Sequence, residues 1–372
     1  MDNAIVPITS LVLIAGVLSI ELGISTAILE IISGVIAANL FDIRGVEWLE
    51  FLANIGILGI MFFAGFETEL RVLKKHYKKS IAIATASYFT PFIVTYGVCS
   101  GLLGLDMTAS MLISIGMSTT SLALVYPYLE TEGLLKMDIA QILLAAAMMV
   151  DLFSMFSLSF LIMGFDVEIL VFVIIIAIAL NIMPRVAKWL SQRYGETKAE
   201  IELRFIMLSL VGLAFFSEHV GIHAAILAYM AGLVFSSILE DTDELDRKMR
   251  GIVYAFFGPL FFFNSGLIID LSIFDYNALK LMALFTFIAF TGKYVGTRLS
   301  VKYVLGRGSR LASLFFNYRL SFGIVVALLG YRQGIIDETL YMACMGTILA
   351  TSIISSIFLK ITPTETIYKR KK

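Results

Sequence analysis

Among residues whose chemistry stands out from their surroundings, Asp151 comes first, a lone carboxyl in the apolar run QILLAAAMMVDLFSMFSLSF. An ionised carboxylate at depth in an apolar segment costs roughly 3 kcal/mol or more unless it is paired or hydrated. It escapes that cost by taking a proton or by ligating a hard cation such as Na⁺, Li⁺ or K⁺. One group that holds either ion, but not both, is the minimal chemistry of exchange. The plainer alternative is an aspartate bonded into a helix–helix contact.

Four consecutive hydroxyl residues, Ser118, Thr119, Thr120 and Ser121, lie mid-segment in GMSTTSLALVYPYL. Where a helix unwinds, such side chains rebond the freed backbone groups, and spare carbonyls can ligate a cation. Ser and Thr are also ordinary interhelical glue. Arg319 and the Ser321–Gly323 stretch occupy a comparable depth in NYRLSFGIVV, as a second interrupted helix would require. A fixed structural counter-ion is the favoured role for Arg319. Lys293, in FTGKYVGTRLS, has two readings: it pairs with Asp151, or its stem snorkels to the interface. Glu30 and Asn264 read as packing or gating residues, Glu218, His219 and His223 as a cluster whose titration could set pH dependence, and Cys99 and Cys344 as helix packing.

The elements that must hold these groups are membrane spans. With 15% charged residues and a mean hydropathy of +0.91, the chain lacks the polar surface to cover a soluble globule. Charged clusters and Gly/Pro breaks divide it into about thirteen α-helical spans. Their approximate limits are 4–20, 24–41, 48–66, 80–103, 107–129, 136–163, 167–190, 201–218, 222–239, 249–270, 276–303, 310–331 and 336–360. Lys and Arg concentrate at alternate loops, for example Arg71, Lys74, Lys75, Lys78 and Lys79, then Arg298, Lys302, Arg307 and Arg310. The positive-inside rule then places the N-terminus outside and the C-terminus in the cytoplasm, with a prokaryotic plasma membrane as the expected location.

An internal repeat refines this. GISTAILEIISG from Gly23 matches GIHAAILAYMAG from Gly221, and GIMFFAGFETEL, which ends the third span, corresponds to PLFFFNSGLIIDL, which ends the tenth. Seven spans separate the copies, and an odd offset inverts their orientation, as in many secondary transporters. Residues 1–103 and 201–303 then contain the first parts of two inverted repeats, 107–163 and 310–360 complete a core, and 167–190 is a linker helix.

The stretches LEIISGVIAANL, LANIGILGIMFFAGFETEL, STTSLALV, QILLAAAMMVD, GIHAAILAYMAGLVFSS, PLFFFNSGLIIDL and the later GK occur in an order that resembles the monovalent cation/proton antiporter family. The branch is the one holding bacterial sodium/proton antiporters and the membrane part of potassium efflux systems. The resemblance implies a homodimer with a scaffold, a mobile core and two broken crossing helices. It also implies that Asp151 is the essential ion-binding carboxylate, that Thr120 and Ser121 lie in the unwound segment, and that Lys293 is the basic partner; Thr119 is expected to join Asp151, Thr120 and Ser121 in the cation site. Three departures stand out: Val150 precedes the essential Asp where the family carries Asp, Asn or Gln, Leu122 replaces a Pro, and Leu320-Ser321 replaces Gly-Glu. Val150 cannot bind a second proton, so electroneutral, one-for-one exchange is expected; a Lys293 that releases its proton would restore a second transported charge.

The leading expectation is therefore antiport of Na⁺ or K⁺ against H⁺, with no cofactor, no enzymatic activity and no nucleic-acid partner. No soluble regulatory domain is expected within these residues, so a regulated form would rely on a separate subunit. A cation-coupled symporter for an organic anion and a non-transporting membrane sensor are the competing classes; ion flux separates them.

Overall fold

A computed structural model describes residues 4–22, 25–66, 70–121, 137–163, 200–218, 224–238, 243–269, 271–273 and 276–362, with scattered positions between 122 and 136 and between 178 and 194. Among the described residues it is all-helical, with fourteen α-helices. They are α1 (Ile5–Leu22), α2 (Thr26–Leu40), α3 (Glu47–Phe66), α4 (Leu70–Gly97), α5 (Met107–Ser118), α6 (Asp138–Met163) and α7 (Ile201–Glu218). The rest are α8 (Ala224–Ile238), α9 (Asp243–Ile252), α10 (Gly258–Leu267), α11 (Tyr276–Leu305), α12 (Ser309–Phe315), α13 (Leu320–Arg332) and α14 (Glu338–Lys360). Five described helices are long and apolar enough to cross a bilayer; α2, α5, α7, α8 and α13 contain shorter apolar helices. The chain is an integral membrane protein with several spans.

Most span limits agree with the helices to within a few residues, and the larger differences have physical causes. The helix of α4 starts at Leu70, ten residues ahead of the apolar limit at 80, because its first turns are rich in lysine and extend beyond the apolar stretch. The span 249–270 joins α9 to α10 through a π-helical turn, Val253–Phe257. The spans 107–129 and 310–331 do not continue as single helices. The former stops at Ser118, and the latter splits into α12 and α13. The linker at 167–190 lies largely outside the described residues.

Small residues set the closest helix contacts, as expected where lipid offers no hydrophobic drive to association. A methyl carbon added at Gly34 of α2 would sit 2.0 Å from the Phe263 carbonyl oxygen of α10, and one at Gly266 would sit 2.1 Å from that of Ile31. The same arrangement joins α3 to α8: a methyl at Gly232 would lie 2.0 Å from the Phe62 oxygen, and one at Gly65 would lie 2.0 Å from that of Tyr229. In the repeated sequence Gly34 corresponds to Gly232, Gly65 to Gly266 and Ile31 to Tyr229, so the two contacts use equivalent positions in exchanged roles. Asn39 locks the first of them, donating to the Ile269 carbonyl at 2.8 Å and accepting from the Leu271 amide at 2.7 Å.

The buried apolar residues fall chiefly into two clusters. One, around Phe62, Phe63, Phe235 and Phe261, includes Met117 of α5 and Leu320 and Phe322 of α13. The other, around Tyr88, Leu143 and Ala147, includes Val150 of α6 and Phe315 of α12. Residues flanking the helix breaks therefore draw on both clusters.

Candidate ion site at two helix breaks

Helix α5 ends because the residue after Ser118 leaves helical geometry, with Thr119 extended at φ −64° and ψ 162°. At the other break, the last turn of α12 tightens to i→i−3 bonds, Asn317 N to Leu314 O at 3.0 Å and Tyr318 N to Phe315 O at 3.3 Å. The Asn317 side-chain amide takes the Ser313 carbonyl at 2.8 Å. A break in an apolar interior frees backbone groups that must find new partners. Here the two breaks satisfy each other. The Ser121 amide donates to the Tyr318 carbonyl at 2.7 Å, and Thr120 Oγ1 donates to the Phe316 carbonyl at 3.1 Å. Thr119 Oγ1 turns back onto its own helix, donating to Gly116 O at 3.1 Å.

Two buried cations close the end of α5. Arg319 is fully buried and donates from Nε to Met117 O at 2.8 Å, from Nη1 to Asn317 O at 3.0 Å, and from Nη2 to Ala289 O and Asn317 Oδ1, both at 2.9 Å. Lys293, equally buried, donates from Nζ to the Ser118 carbonyl. Unpaired carbonyls at a helix C-terminus carry partial negative charge, so both cations are placed where that charge is largest. The planar guanidinium fork reaches four acceptors on three segments, which a lysine could not do.

Asp151 of α6 is 5% exposed, and its Oδ1 has no hydrogen-bond partner among the described residues. Ser118 Oγ, at the end of α5, is also buried without a partner among the described residues. Lys293 and Asp151 interact electrostatically, yet the hydrogen bond of the ammonium goes to Ser118 and not to the carboxylate. The reading in which Lys293 snorkels to an interface does not hold, because its side chain is fully enclosed.

The structure thus gathers Thr119, Thr120, Ser121, Lys293 and Arg319 at one junction, with α6 and its Asp151 packed against α5. Glu30 is buried at 3% exposure in α2, which packs chiefly on α1 and α10, and no hydrogen bond among the described residues ties it to the junction. Ser321 opens α13, but its side chain, like that of Glu218 and the whole of His219 and His223, lies outside the described residues. Asn317 is the residue that sequence reasoning passed over. The only signal for it was an amide two residues before a buried arginine in an apolar run.

Helices that break in pairs inside an apolar bundle beside a buried carboxyl are the architecture of a secondary transporter. The chain belongs to the sodium/hydrogen exchanger family, whose transmembrane description matches residues 8–363. It is 27% identical over 349 residues to "Probable Na(+)/H(+) antiporter 3" of Methanocaldococcus jannaschii, covering 90% of this chain and 89% of that protein. It is 27% identical to "Na(+)/H(+)-K(+) antiporter GerN" of Bacillus cereus, covering 94% and 92%. "Probable Na(+)/H(+) antiporter GerT" of the same organism is 30% identical over 83% of this chain and 82% of its own length. In three dimensions the chain is similar to the sodium proton antiporter MjNhaP1 of Methanocaldococcus jannaschii, with a TM-score of 0.73, 15% identity and full coverage of both chains. The resemblance read from the motifs therefore holds at the level of family and fold.

Proposed function

We propose that this protein exchanges Na⁺ or K⁺ for H⁺ by alternating access at the two helix breaks, with Asp151 binding one ion or the other. The observation that carries this reading is the buried Asp151 Oδ1 of α6, which has no hydrogen-bond partner among the described residues and lies in a helix packed on α5. A cation arriving there meets the carboxylate, with the Ser118 hydroxyl and the oxygens of Thr119 and Thr120 as further ligands, and Ser121 in the same unwound segment. A proton does the same electrostatic work by neutralising the carboxylate, so each ion displaces the other. Either neutral state can cross between the two faces, whereas the bare carboxylate is held back by its desolvation cost.

Arg319 is the fixed structural counter-ion of this scheme, since four acceptors hold its guanidinium. Lys293 is a positioning residue: it secures the end of α5 and places positive charge near Asp151. Val150 is fully buried in an apolar cluster and offers no second proton site, which supports one-for-one exchange as long as Lys293 keeps its proton.

The exchanged glycine contacts of α2–α10 and α3–α8 support an inverted repeat, with those helices forming the scaffold and α4–α6 with α11–α14 the mobile core. Exposed Val6, Leu13, Val17 and Ile20 on α1 leave a lipid-facing apolar surface that suits the homodimer implied by the family. Proton flux in proteoliposomes, driven by imposed Na⁺, K⁺ or Li⁺ gradients with the membrane potential clamped or free, tests the whole reading. Cation-driven flux that is lost in Asp151→Asn and indifferent to the clamp is the expected result; absence of flux with every cation from folded protein would overturn it.

A further inference from the structure

Away from the ion site, a groove of about 220 Å³ opens on the outer surface between α11, α12 and α14, lined by Phe290, Thr291, Tyr294, Val295, Leu314, Phe358 and, as its charged residue, Arg310. The walls belong to the membrane-exposed surface. Val295 is 47% and Phe358 43% exposed, and α11 and α14 both contain helices long and apolar enough to cross a bilayer. An apolar slot of this kind takes hydrocarbon rather than a soluble solute.

The cations gather at the same place. Arg310 is exposed and has no acidic partner among the described residues. Arg298 donates to the phenol of the lining residue Tyr294 at 2.7 Å and lies over its ring, 5.6 Å from the centroid. Lys302 and Arg307 follow within the same loop and helix end, and the sequence from Tyr276 to Ile336 contains no Asp or Glu at all. Positive charge with no carboxylate beside it, set at the polar edge of an apolar slot, is complementary to one membrane component: an anionic headgroup joined to an acyl chain.

We infer that this groove is a binding site for an anionic phospholipid, its phosphate held by Arg310 with Arg298 alongside, and its acyl chain laid between Val295, Leu314 and Phe358. The position gives the lipid a route to the transport machinery. Leu314 belongs to α12, the short half of the broken helix, so an occupied groove braces that half against α11 and α14. The binding claim stands independently of which ions are exchanged.

Native mass spectrometry of the full-length protein in detergent, titrated with short-chain phosphatidylglycerol or phosphatidylcholine, tests it. The expected result is preferential retention of phosphatidylglycerol, reduced about fivefold or more by Arg310→Gln, which removes a cation, and by Val295→Trp, which fills the slot. Val295 is exposed, so that variant carries the test if Arg310→Gln does not fold. Equal retention of the two lipids, or phosphatidylglycerol occupancy unchanged in both variants, overturns the inference. Displacement of the bound lipid by millimolar inorganic phosphate also overturns it, because a free-anion site would then account for the arginines.

Discussion

Lys293 of α11 gives its hydrogen bond to the main-chain carbonyl of Ser118, 175 residues away in the chain, while Asp151 Oδ1 has no hydrogen-bond partner among the described residues. A lysine that formed a tight ion pair with the carboxylate would have to be displaced by each arriving cation. A lysine that holds the end of α5 leaves the carboxylate free and still lends it a positive field. The difference separates a positioning role from direct competition, and it can be measured.

Replacing Lys293 with Met removes the ammonium and keeps the stem. The Ser118 carbonyl then loses its partner in a dry interior, at a cost of about 1–3 kcal/mol. Thermal unfolding in detergent should register that loss, and cation dependence of exchange should shift along the pH axis. A variant with unchanged melting and an unchanged pH profile would remove Lys293 from the site altogether.

Asp151→Asn should abolish exchange while leaving the fold intact or slightly more stable, because a neutral amide avoids burying an ionisable group. In the wild type, a proton and a cation that share one carboxylate must compete. The cation concentration for half-maximal flux should therefore rise about tenfold per unit fall in pH over the range in which Asp151 titrates. A half-saturation that ignores pH would mean the two ions bind at different sites.

Arg319→Lys conserves charge but not geometry. An ammonium cannot reach Met117 O, Asn317 and Ala289 O together, so several buried carbonyls are orphaned and roughly 2–4 kcal/mol should be lost. Transport should fall with stability here. The comparison with Lys293→Met is informative, since Arg319 ties both breaks and α11 together whereas Lys293 bonds only the end of α5 among the described residues.

Glu30→Gln should leave exchange within about twofold of wild type and raise stability modestly, because the carboxyl is buried and takes no part in the junction. Loss of flux with retained folding would instead assign Glu30 the gating role, the alternative to packing in the sequence reading.

Gly34→Ala and Gly232→Ala should each force helices apart, since the added carbon would meet a backbone oxygen at 2.0 Å. A cost of about 1–3 kcal/mol is expected at each position. Similar losses at the two sites would match their exchanged roles in the packing; a large cost at one and none at the other would argue that the scaffold halves are not equivalent.

Much of this was legible without coordinates. A long apolar chain whose charges cluster in loops has to be helical in a bilayer, because only there can every backbone group be satisfied within its own segment. A carboxyl such as Asp151 is conspicuous for the same reason: nothing in its local sequence compensates it. The hydroxyl run Ser118–Ser121 and the buried arginine Arg319 marked where helices could be interrupted, since those side chains can replace a lost backbone partner.

What the sequence left open was partnership. Whether Lys293 faced Asp151, a carbonyl or the membrane interface depended on how α11 is rotated against α5, and side-chain type does not encode rotation. The bonds from Thr120 and Ser121 to Phe316 and Tyr318 join segments almost 200 residues apart, and Asn317 acquires its role only when α12 stops beside Arg319. Hydropathy and charge are properties of single residues and neighbours in the chain. The pairing of two broken helices is a property of packing, and only the tertiary structure decided it.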